Sequence, residues 1–230
     1  MTARNYGQYC GVVSALELVG ERWALLIVRD LLVGPRRYGD LKKGLPRIPT
    51  NILSTRLKEL QQAGVVRRVP LAHGLVYDLT EYGRGLEDVV LALGRWGFQA
   101  MGEPGEDDIV TPDSMTMAFR TAFTPDVARS QPATVYEVHI GDVVLTLSVH
   151  ELGLTVVRGS TTPGVATGGA DLVFAASPRI HEIISGELSP ESAIADGTVR
   201  ILDGDAALLE RFALVFHLEP APGAVRAIAV

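Results

Sequence analysis

The sequence has a single cysteine, Cys10, among its 230 residues. An intramolecular disulfide is therefore impossible, and a zinc site built on thiolates is not expected. No apolar run reaches the roughly 18–20 residues that a membrane-spanning helix needs. The polar N-terminus is not followed by the apolar segment of a secretory signal. These absences predict a cytoplasmic protein without a membrane span.

Motifs that carry catalysis are missing as well. The sequence contains no nucleophile elbow, no phosphate-binding loop and no dinucleotide fingerprint. Paired acids such as Asp203 and Asp205 fit the start of a helix better than acid–base chemistry. We therefore expect no catalytic residue, no metal and no cofactor. The second half of the chain contains four histidines, which are scattered without the spacing of metal ligands: His139, His150, His181 and His217.

The charges are divided unevenly along the chain. Residues 1–102 carry 14 Lys and Arg against 9 Asp and Glu, a net charge of +5, whereas residues 103–230 carry 7 against 18, a net charge of −11. The change of sign coincides with the Gly/Pro/acidic stretch from Gly102 to Asp108, which has the composition of a linker. We predict an N-terminal domain over 1–102, a linker over 103–112 and a C-terminal domain over 113–230. The basic half is suited to a polyanion, although a chance difference between two small domains is the alternative.

Hydrophobic periodicity and turn residues predict helices followed by a hairpin in the first domain. The order of short helices, a polar-faced helix and a two-stranded wing is typical of a winged helix-turn-helix. Thr50 is a predicted N-cap for the polar-faced helix. The predicted helices are Val12 to Leu18, Glu21 to Leu32, Tyr38 to Lys43, Asn51 to Gln62, and one from Thr80 through Trp96; the predicted strands are Val65 to Pro70 and Val76 to Leu79.

The helix predicted from Asn51 to Gln62 has two contrasting faces. Leu53, Leu57 and Leu60 form one stripe, which should face the core. The opposite stripe carries side chains that can bond to base edges or phosphates: Asn51, Thr55, Lys58 and Gln62. Arg56 lies on a flank and should reach a phosphate or an acidic neighbour. The alternative is the solvated face of an ordinary helix.

Basic residues surround this helix in the sequence, which weakens that alternative. In a helix-turn-helix such positions lie beside the DNA backbone, where cations release counterions and supply much of the affinity. His73 falls at the tip of the predicted wing, near a minor groove. The surrounding cations are Arg36, Arg37, Lys42, Lys43, Arg47, Arg67 and Arg68.

These segments together resemble the HxlR-type winged helix-turn-helix regulators, relatives of the MarR regulators. The resemblance is carried by Gly20-Glu21-Arg22-Trp23 and the run through Leu41, by residues 52–60 and 64–68, and by residues 77–83; it covers roughly residues 8–100. Asp30 and Tyr38 depart from the family's usual glutamate and phenylalanine. The resemblance implies a homodimer that reads a pseudo-palindrome in double-stranded DNA, with recognition helices about 34–36 Å apart. Apolar residues at helical spacing offer a dimer surface, or else pack within their own domain: Leu86, Val89, Val90, Leu93 and Trp96.

Cys10 occupies a position at which HxlR-type proteins often carry a cysteine. The resemblance implies a possible sensor of oxidants or electrophiles, which requires an exposed thiol of lowered pKa. From the sequence we favour the alternative, a small buried hydrophobe.

The sequence of the second half predicts a mixed α/β domain. Its strands are Thr134 to Ile140, Val143 to Val149, Gly153 to Val157, Asp171 to Ala175 and Thr198 to Leu202; its helices are Pro178 to Ser185, Pro190 to Ala195 and Asp205 to Phe216. Residues 115–217 resemble the sterol-carrier-protein fold, with Gly186-Glu187-Leu188-Ser189-Pro190 among the matching positions. That resemblance implies a mixed sheet covered by helices over an apolar tunnel. Candidate lining residues, for which ordinary core is the alternative role, are Ile183, Ile184, Leu208, Leu209, Phe212 and Phe216.

The whole chain is thus expected to be an α+β protein with a winged helix-turn-helix domain and a sterol-carrier-like domain. Its expected function is transcriptional regulation, with repression preferred over activation. The second domain is expected either to sense a hydrophobic small molecule or to serve as an extra dimerisation surface. The alternative is a carrier of lipids or other hydrophobic ligands that uses the winged domain as a dimerisation scaffold.

Overall fold

The computed structural model describes residues 5–71, 74–102, 104–105, 107–159, 164 and 169–220. The chain divides into two compact units, residues 1–91 and 92–230. Both α-helices and β-strands are present, as the predicted α+β class requires. The domain boundaries and the linker over 103–112 stay predictions. Within the described ranges, no helix combines the length and apolarity needed to cross a membrane.

The first unit is mostly helical and contains one hairpin. Its two strands, β1 (Val66–Pro70) and β2 (Leu75–Leu79), are antiparallel. Helix α6 (Glu87–Phe98) spans the division between the units. The helices that precede it are α1 (Gly11–Val19), α2 (Ala24–Val33), α3 (Tyr38–Gly44), α4 (Thr50–Gln62) and α5 (Glu81–Arg84).

Three predictions for the helices of the first unit need correction. Thr50, predicted as the N-cap of α4, is its first residue, because Pro49 occupies the N-cap position. The helix predicted from Glu21 begins at Ala24, because Trp23 has a left-handed φ of 79° that no helix interior accepts. The helix predicted to run unbroken from Thr80 is two helices, α5 and α6, because α5 ends at Gly85, where a residue without a side chain favours termination. Thr80 itself is the N-cap of α5, since its hydroxyl accepts a hydrogen bond from the Gly83 amide.

The leucine stripe of α4 holds the first unit together. Leu53, Leu57 and Leu60 are each at most 1% exposed, which confirms the predicted inward face. They share the core with Ile27 and Leu31 of α2, which are fully buried. Full burial of a leucine stabilises a fold by about 1.5–3 kcal/mol. The rotation of α4 about its axis is therefore set by three large contributions, and the opposite face is left toward solvent.

The second unit is built on a five-stranded sheet in the order β5-β4-β3-β6-β7. Strands β3 and β6 are parallel and the other neighbours are antiparallel, so the sheet is mixed. The strands are β3 (Thr134–Ile140), β4 (Val143–His150), β5 (Gly153–Arg158), β6 (Leu172–Ala176) and β7 (Val199–Gly204). The helices are α7 (Pro112–Ala122), α8 (Pro125–Arg129), α9 (Ile180–Ile184), α10 (Pro190–Ala195) and α11 (Leu208–Val215).

Helices α7 and α8 are absent from the sequence-based prediction. The inward face of α7 includes Thr116 and Thr121, which obscure its apolar period. The hydroxyl of each threonine donates a hydrogen bond to the carbonyl four residues earlier. The distances are 2.8 Å from Thr116 to Pro112 and 2.7 Å from Thr121 to Met117, so both hydroxyls have a partner inside the core. Polar residues that satisfy themselves within the helix are thus part of the core.

An aromatic cluster fills the core of the second unit. The rings of Phe212 and Phe216 are 4.8 Å apart. Phe119 and Tyr136 meet them edge-on, with centroid distances of 5.6 Å for Phe119–Phe216 and 5.4 Å for Tyr136–Phe212. Burial raises the pKa of Tyr136 to about 12. The Tyr136 hydroxyl has no hydrogen-bond partner among the described residues.

Gly83 is a position at which α5 lies close to the backbone that precedes β1. A β-carbon there would collide with the carbonyl oxygen of Val65, which is backbone and cannot rotate away. We expect Gly83→Ala to lower the free energy of unfolding by more than about 2 kcal/mol. Gly39→Ala is the matched control, because Gly39 also lies in a helix but has open space around it. Urea unfolding followed by circular dichroism checks the pair; equal stabilities would contradict the close packing.

Candidate nucleic-acid interface

Helix α4 is held at its N-terminal end by α3. The Tyr38 hydroxyl donates a hydrogen bond to the Thr50 carbonyl at 2.9 Å and lies 3.2 Å from Ser54 Oγ. Tyr38 begins α3, so this contact ties the starts of the two helices together. The turn between α3 and α4 therefore has a defined geometry, as the positioning of an interface helix requires.

The predicted outward stripe of α4 lies on the exposed side of the helix. Asn51, Lys58 and Gln62 are exposed, while Thr55 is half-buried and its hydroxyl donates to the Asn51 carbonyl at 2.9 Å. Within the described residues, Lys58 makes no ion pair. One helix face thus presents an amide, a hydroxyl, a free ammonium and a second amide, the donors and acceptors that read base edges and phosphates.

The cations that precede α4 surround its beginning. Arg37 and Lys43 are exposed, and Lys42 is half-buried with its ammonium donating to the Pro46 carbonyl at 2.8 Å. Arg36 is hydrogen-bonded through its backbone to Tyr77 in both directions, at 3.0 and 2.8 Å. The segment before α3 is therefore joined to the second strand of the wing.

The arginines on the wing and just after it differ in whether they pair with a carboxylate of the protein. Arg67 donates to the buried carboxylate of Asp78 at 3.0 Å, and Arg84 donates to the other oxygen of that carboxylate at 2.7 Å. The guanidinium of Arg68 lies over the Tyr77 ring, 5.1 Å from its centroid, and stays exposed. Arg68 is consequently the freer charge for a phosphate. His73 lies outside the described residues.

Arg56 is engaged within the protein. Its Nη2 lies 2.8 Å from Glu21 Oε2, its Nη1 pairs with Glu59, and its Nε donates to the Arg22 carbonyl at 3.3 Å. The side chain is 15% exposed. Of the two partners expected for Arg56, a phosphate or an acidic neighbour, the structure provides the acidic neighbours.

The residues predicted for dimerisation leave an apolar surface uncovered. Val89, Leu93 and Trp96 are 51%, 46% and 70% exposed, and Leu86 and Val90 are half-buried. No described residue of α6 is buried. Exposed apolar side chains also occur on α1 and just before it: Tyr6, Tyr9, Val12 and Leu16. Apolar surface of this extent usually marks an interaction site.

Cys10 is exposed, so the interpretation as a small buried hydrophobe is wrong. The reason is its position: Cys10 is the N-cap of α1, where the chain enters a helix whose own surface is largely exposed. The backbone amides of Val13 and Val12 lower the pKa of the Cys10 thiol by hydrogen bonding to the thiolate. Both properties that a thiol sensor needs, access and a lowered pKa, are present.

The residues predicted to line a ligand tunnel lie in the core of the second unit. Ile183, Ile184, Leu209, Phe212 and Phe216 are at most 4% exposed. Leu208 is half-buried against the same cluster. The structure therefore brings the six together, and they pack as core.

Two features of strand β3 escaped the sequence-based prediction. Tyr136 was not expected beside the predicted rings of Phe212 and Phe216. Glu137 and His139 form a buried pair, with 2.8 Å between Oε1 and Nε2, and the Gly164 amide donates to Nδ1 of the histidine at 2.9 Å. Their i, i+2 spacing on a strand places them on one face, which is the signal that was available. In the part of the chain that the structure describes, His, Cys, Asp and Glu side chains form no group of three or more suited to a metal.

Comparison with known proteins finds similarity over the first part of the chain. The HxlR-like helix-turn-helix profile matches residues 18–104. An uncharacterized HTH-type transcriptional regulator of Mycobacterium bovis is 44% identical over 93 residues, 39% of this chain and 58% of the relative. The HTH-type transcriptional regulator YodB of Bacillus subtilis is 38% identical over 96 residues, 40% of this chain and 85% of YodB.

The solved structures that resemble the chain include quinone-bound YodB from B. subtilis. It shares 37% sequence identity, covers 37% of this chain and 93% of its own, and superposes with a TM-score of 0.34. The chain spans little more than half the length of the mycobacterial relative. The similarity described by these three proteins is confined to about two fifths of the chain.

Proposed function

Because the chain belongs to the HxlR-like helix-turn-helix family, we propose that it is a DNA-binding transcriptional regulator that inserts α4 into the major groove. The observation that carries this proposal is the division of α4 into two faces. Leu53, Leu57 and Leu60 are buried, whereas Asn51 and Lys58 are exposed on the other side. A helix anchored in this way can enter the groove without unfolding its own core.

The surrounding cations contact the phosphate backbone in this proposal. Arg37 and Lys43 lie before α4, and Arg68 lies on the wing; all three are exposed. Arg36, Lys42 and Arg67 have protein partners and contribute less, because those bonds compete with phosphate. His73, which lies between β1 and β2 in the sequence, is proposed to approach the minor groove. Phosphate contacts supply affinity, and the α4 stripe supplies sequence preference.

We further propose that the regulator is a homodimer. The exposed side chains of Val89, Leu93 and Trp96 repeat at helical spacing along α6 and would be covered by the same surface of a second copy. Twofold symmetry then places two α4 helices about 34–36 Å apart, one helical turn of DNA. The operator is accordingly a pseudo-palindrome. The protein acts in the cytoplasm, and repression is the preferred role.

Two kinds of effector are supported by separate observations. Cys10 is exposed with a lowered pKa, which suits an oxidant or an electrophile such as the quinone named for YodB. The second unit has a mixed sheet and an aromatic core, which supports a sterol-carrier-like fold and an apolar effector. The unpartnered hydroxyl of Tyr136 would give such an effector one polar contact. A carrier without DNA binding leaves the exposed polar stripe of α4 unexplained.

The test of DNA binding is the salt dependence of a Lys58→Ala variant. If Lys58 neutralises one phosphate, its loss should reduce the slope of log K against log salt by about 0.9. Fluorescence anisotropy of labelled upstream DNA at several salt concentrations measures the slope. Arg95→Ala is the control. Arg95 is also an exposed cation, but it lies on α6 and is not part of the α4 stripe.

The same titration with random DNA as competitor tests sequence preference. Operator binding that resists the competitor supports a regulator. Binding no tighter than to random DNA, across fragments of the genome, would count against the proposal. If Lys58→Ala leaves both the salt slope and the operator affinity unchanged, Lys58 does not contact DNA.

Thiol modification tests Cys10 as an effector site. Benzoquinone should add to Cys10 with a rate that rises with pH and has its midpoint below the value of about 8.5 for an ordinary thiol. The adduct should weaken operator binding, because it places a bulky group at the start of α1 beside the exposed apolar surface. Mass spectrometry and anisotropy follow the two effects. If benzoquinone weakens operator binding by Cys10→Ser as much as by the protein with Cys10, this role is ruled out.

Ligand titration tests the second unit. We expect 1-dodecanol to raise the melting temperature and to change operator affinity. Phe212→Leu should weaken both effects, because Phe212 lies at the centre of the aromatic cluster. Leu214→Ala is the matched control on the same helix, since Leu214 is 56% exposed. If dodecanol alters neither stability nor DNA affinity, the apolar effector is excluded for this chain length.

A further inference from the structure

We propose that Arg56 is a positioning residue for α4, acting through the turn between α1 and α2, and that it does not contact phosphate. The inference rests on the proposed DNA-binding function and concerns how the same site is kept in register. Arg56 lies in the middle of a helix whose neighbouring positions face DNA in that proposal. Its guanidinium nevertheless points to partners within the protein.

The contacts of Arg56 use the shape of the guanidinium fork. Nη2 reaches Glu21 at 2.8 Å, Nε reaches the Arg22 carbonyl at 3.3 Å, and Nη1 reaches Glu59 on the next turn of α4. Glu21 and Arg22 belong to the α1–α2 turn, so two of the three contacts join separate elements. Two carboxylates and a carbonyl already surround the cation. A phosphate would therefore have to displace partners that are in place before DNA arrives.

The turn that Arg56 holds is strained. Trp23 is the only residue other than glycine with a positive φ among the described residues, at 79°. Such a conformation persists only where the surroundings hold it. Arg22 contributes on the outer side, with its guanidinium 5.2 Å from the Trp23 ring centroid, and Arg56 contributes by bonding the Arg22 carbonyl. Without Arg56, the turn loses its bond to α4.

Two anchors then define where α4 lies. Tyr38 holds its first turn through the Thr50 carbonyl, and Arg56 holds its middle through the α1–α2 turn. The leucine stripe fixes the inward face, but apolar burial is non-directional, whereas the polar contacts of Arg56 depend on distance and angle. Loss of the second anchor should shift the outward side chains relative to the bases, while leaving the exposed cations free to meet phosphate.

Arg56→Lys and Glu21→Gln distinguish positioning from phosphate contact. Lysine keeps the charge, so a phosphate contact would survive, but a single ammonium cannot hold three partners. Glu21→Gln removes a negative charge and would free Arg56, so a phosphate-binding Arg56 would then bind all DNA more tightly. Under positioning, both variants lower the ratio of operator to random-DNA affinity by roughly tenfold and leave the salt slope unchanged.

A measurement without DNA separates this inference from the proposed function. Amide hydrogen exchange of the folded protein should become faster at residues 21–24 and along α4 in Arg56→Lys. Arg84→Lys is the control, because it alters another arginine–carboxylate contact of the same unit. Unchanged exchange in Arg56→Lys overturns the inference whether or not the protein binds DNA. Faster exchange with a slope reduced by about 0.9 in Arg56→Ala also overturns it, because Arg56 would then contact phosphate.

Discussion

The burial of one leucine stripe decides how the first unit presents its polar side chains. Leu53, Leu57 and Leu60 lie against the apolar side chains of α2, and together they contribute several kcal/mol that a rotated α4 would lose. Because a helix turns by 100° per residue, fixing this stripe fixes the opposite one as well. The exposure of Asn51 and Lys58 is thus a consequence of core packing. Any role of that face depends first on apolar contacts that never touch the partner.

Periodicity made the regular parts of this chain predictable. Local exceptions to the period could not be predicted. The alternation of β3 and β4 around Gly141 and the two faces of α4 are repeated patterns, and the structure has them where they were expected. The left-handed Trp23 is a single residue whose conformation depends on contacts far along the chain, so no local rule announces it. Helix α7 hides its period behind buried threonines that bond to their own helix. Exposure of Cys10 followed from tertiary structure, which the sequence does not display.

A count of cations overstates the charge that a surface offers to DNA. The first 102 residues carry a net charge of +5, yet several arginines are paired within the first unit. Asp78 takes both Arg67 and Arg84, and Arg56 is shared between Glu21 and Glu59. Paired cations define geometry, whereas free ones such as Lys58 and Arg68 attract phosphate. The difference between paired and free cations is visible only once their partners are known. It explains why acidic residues occur among the basic ones.

Helix α1 connects three features that are separate in the sequence. Its N-cap is the exposed Cys10, its outer side chains Val12 and Leu16 are apolar and uncovered, and it ends at the turn that Arg56 holds. A displacement of this nine-residue helix as a unit would carry its N-cap and the α1–α2 turn together. A change at the thiol, or at a surface shared with a second copy, would in that way reach the bonds of Arg56 to Glu21 and to the Arg22 carbonyl, which are separate from the leucine packing. In the proposed regulator, this connection makes the α1–α2 turn a place where an effector can weaken DNA recognition without unfolding the domain.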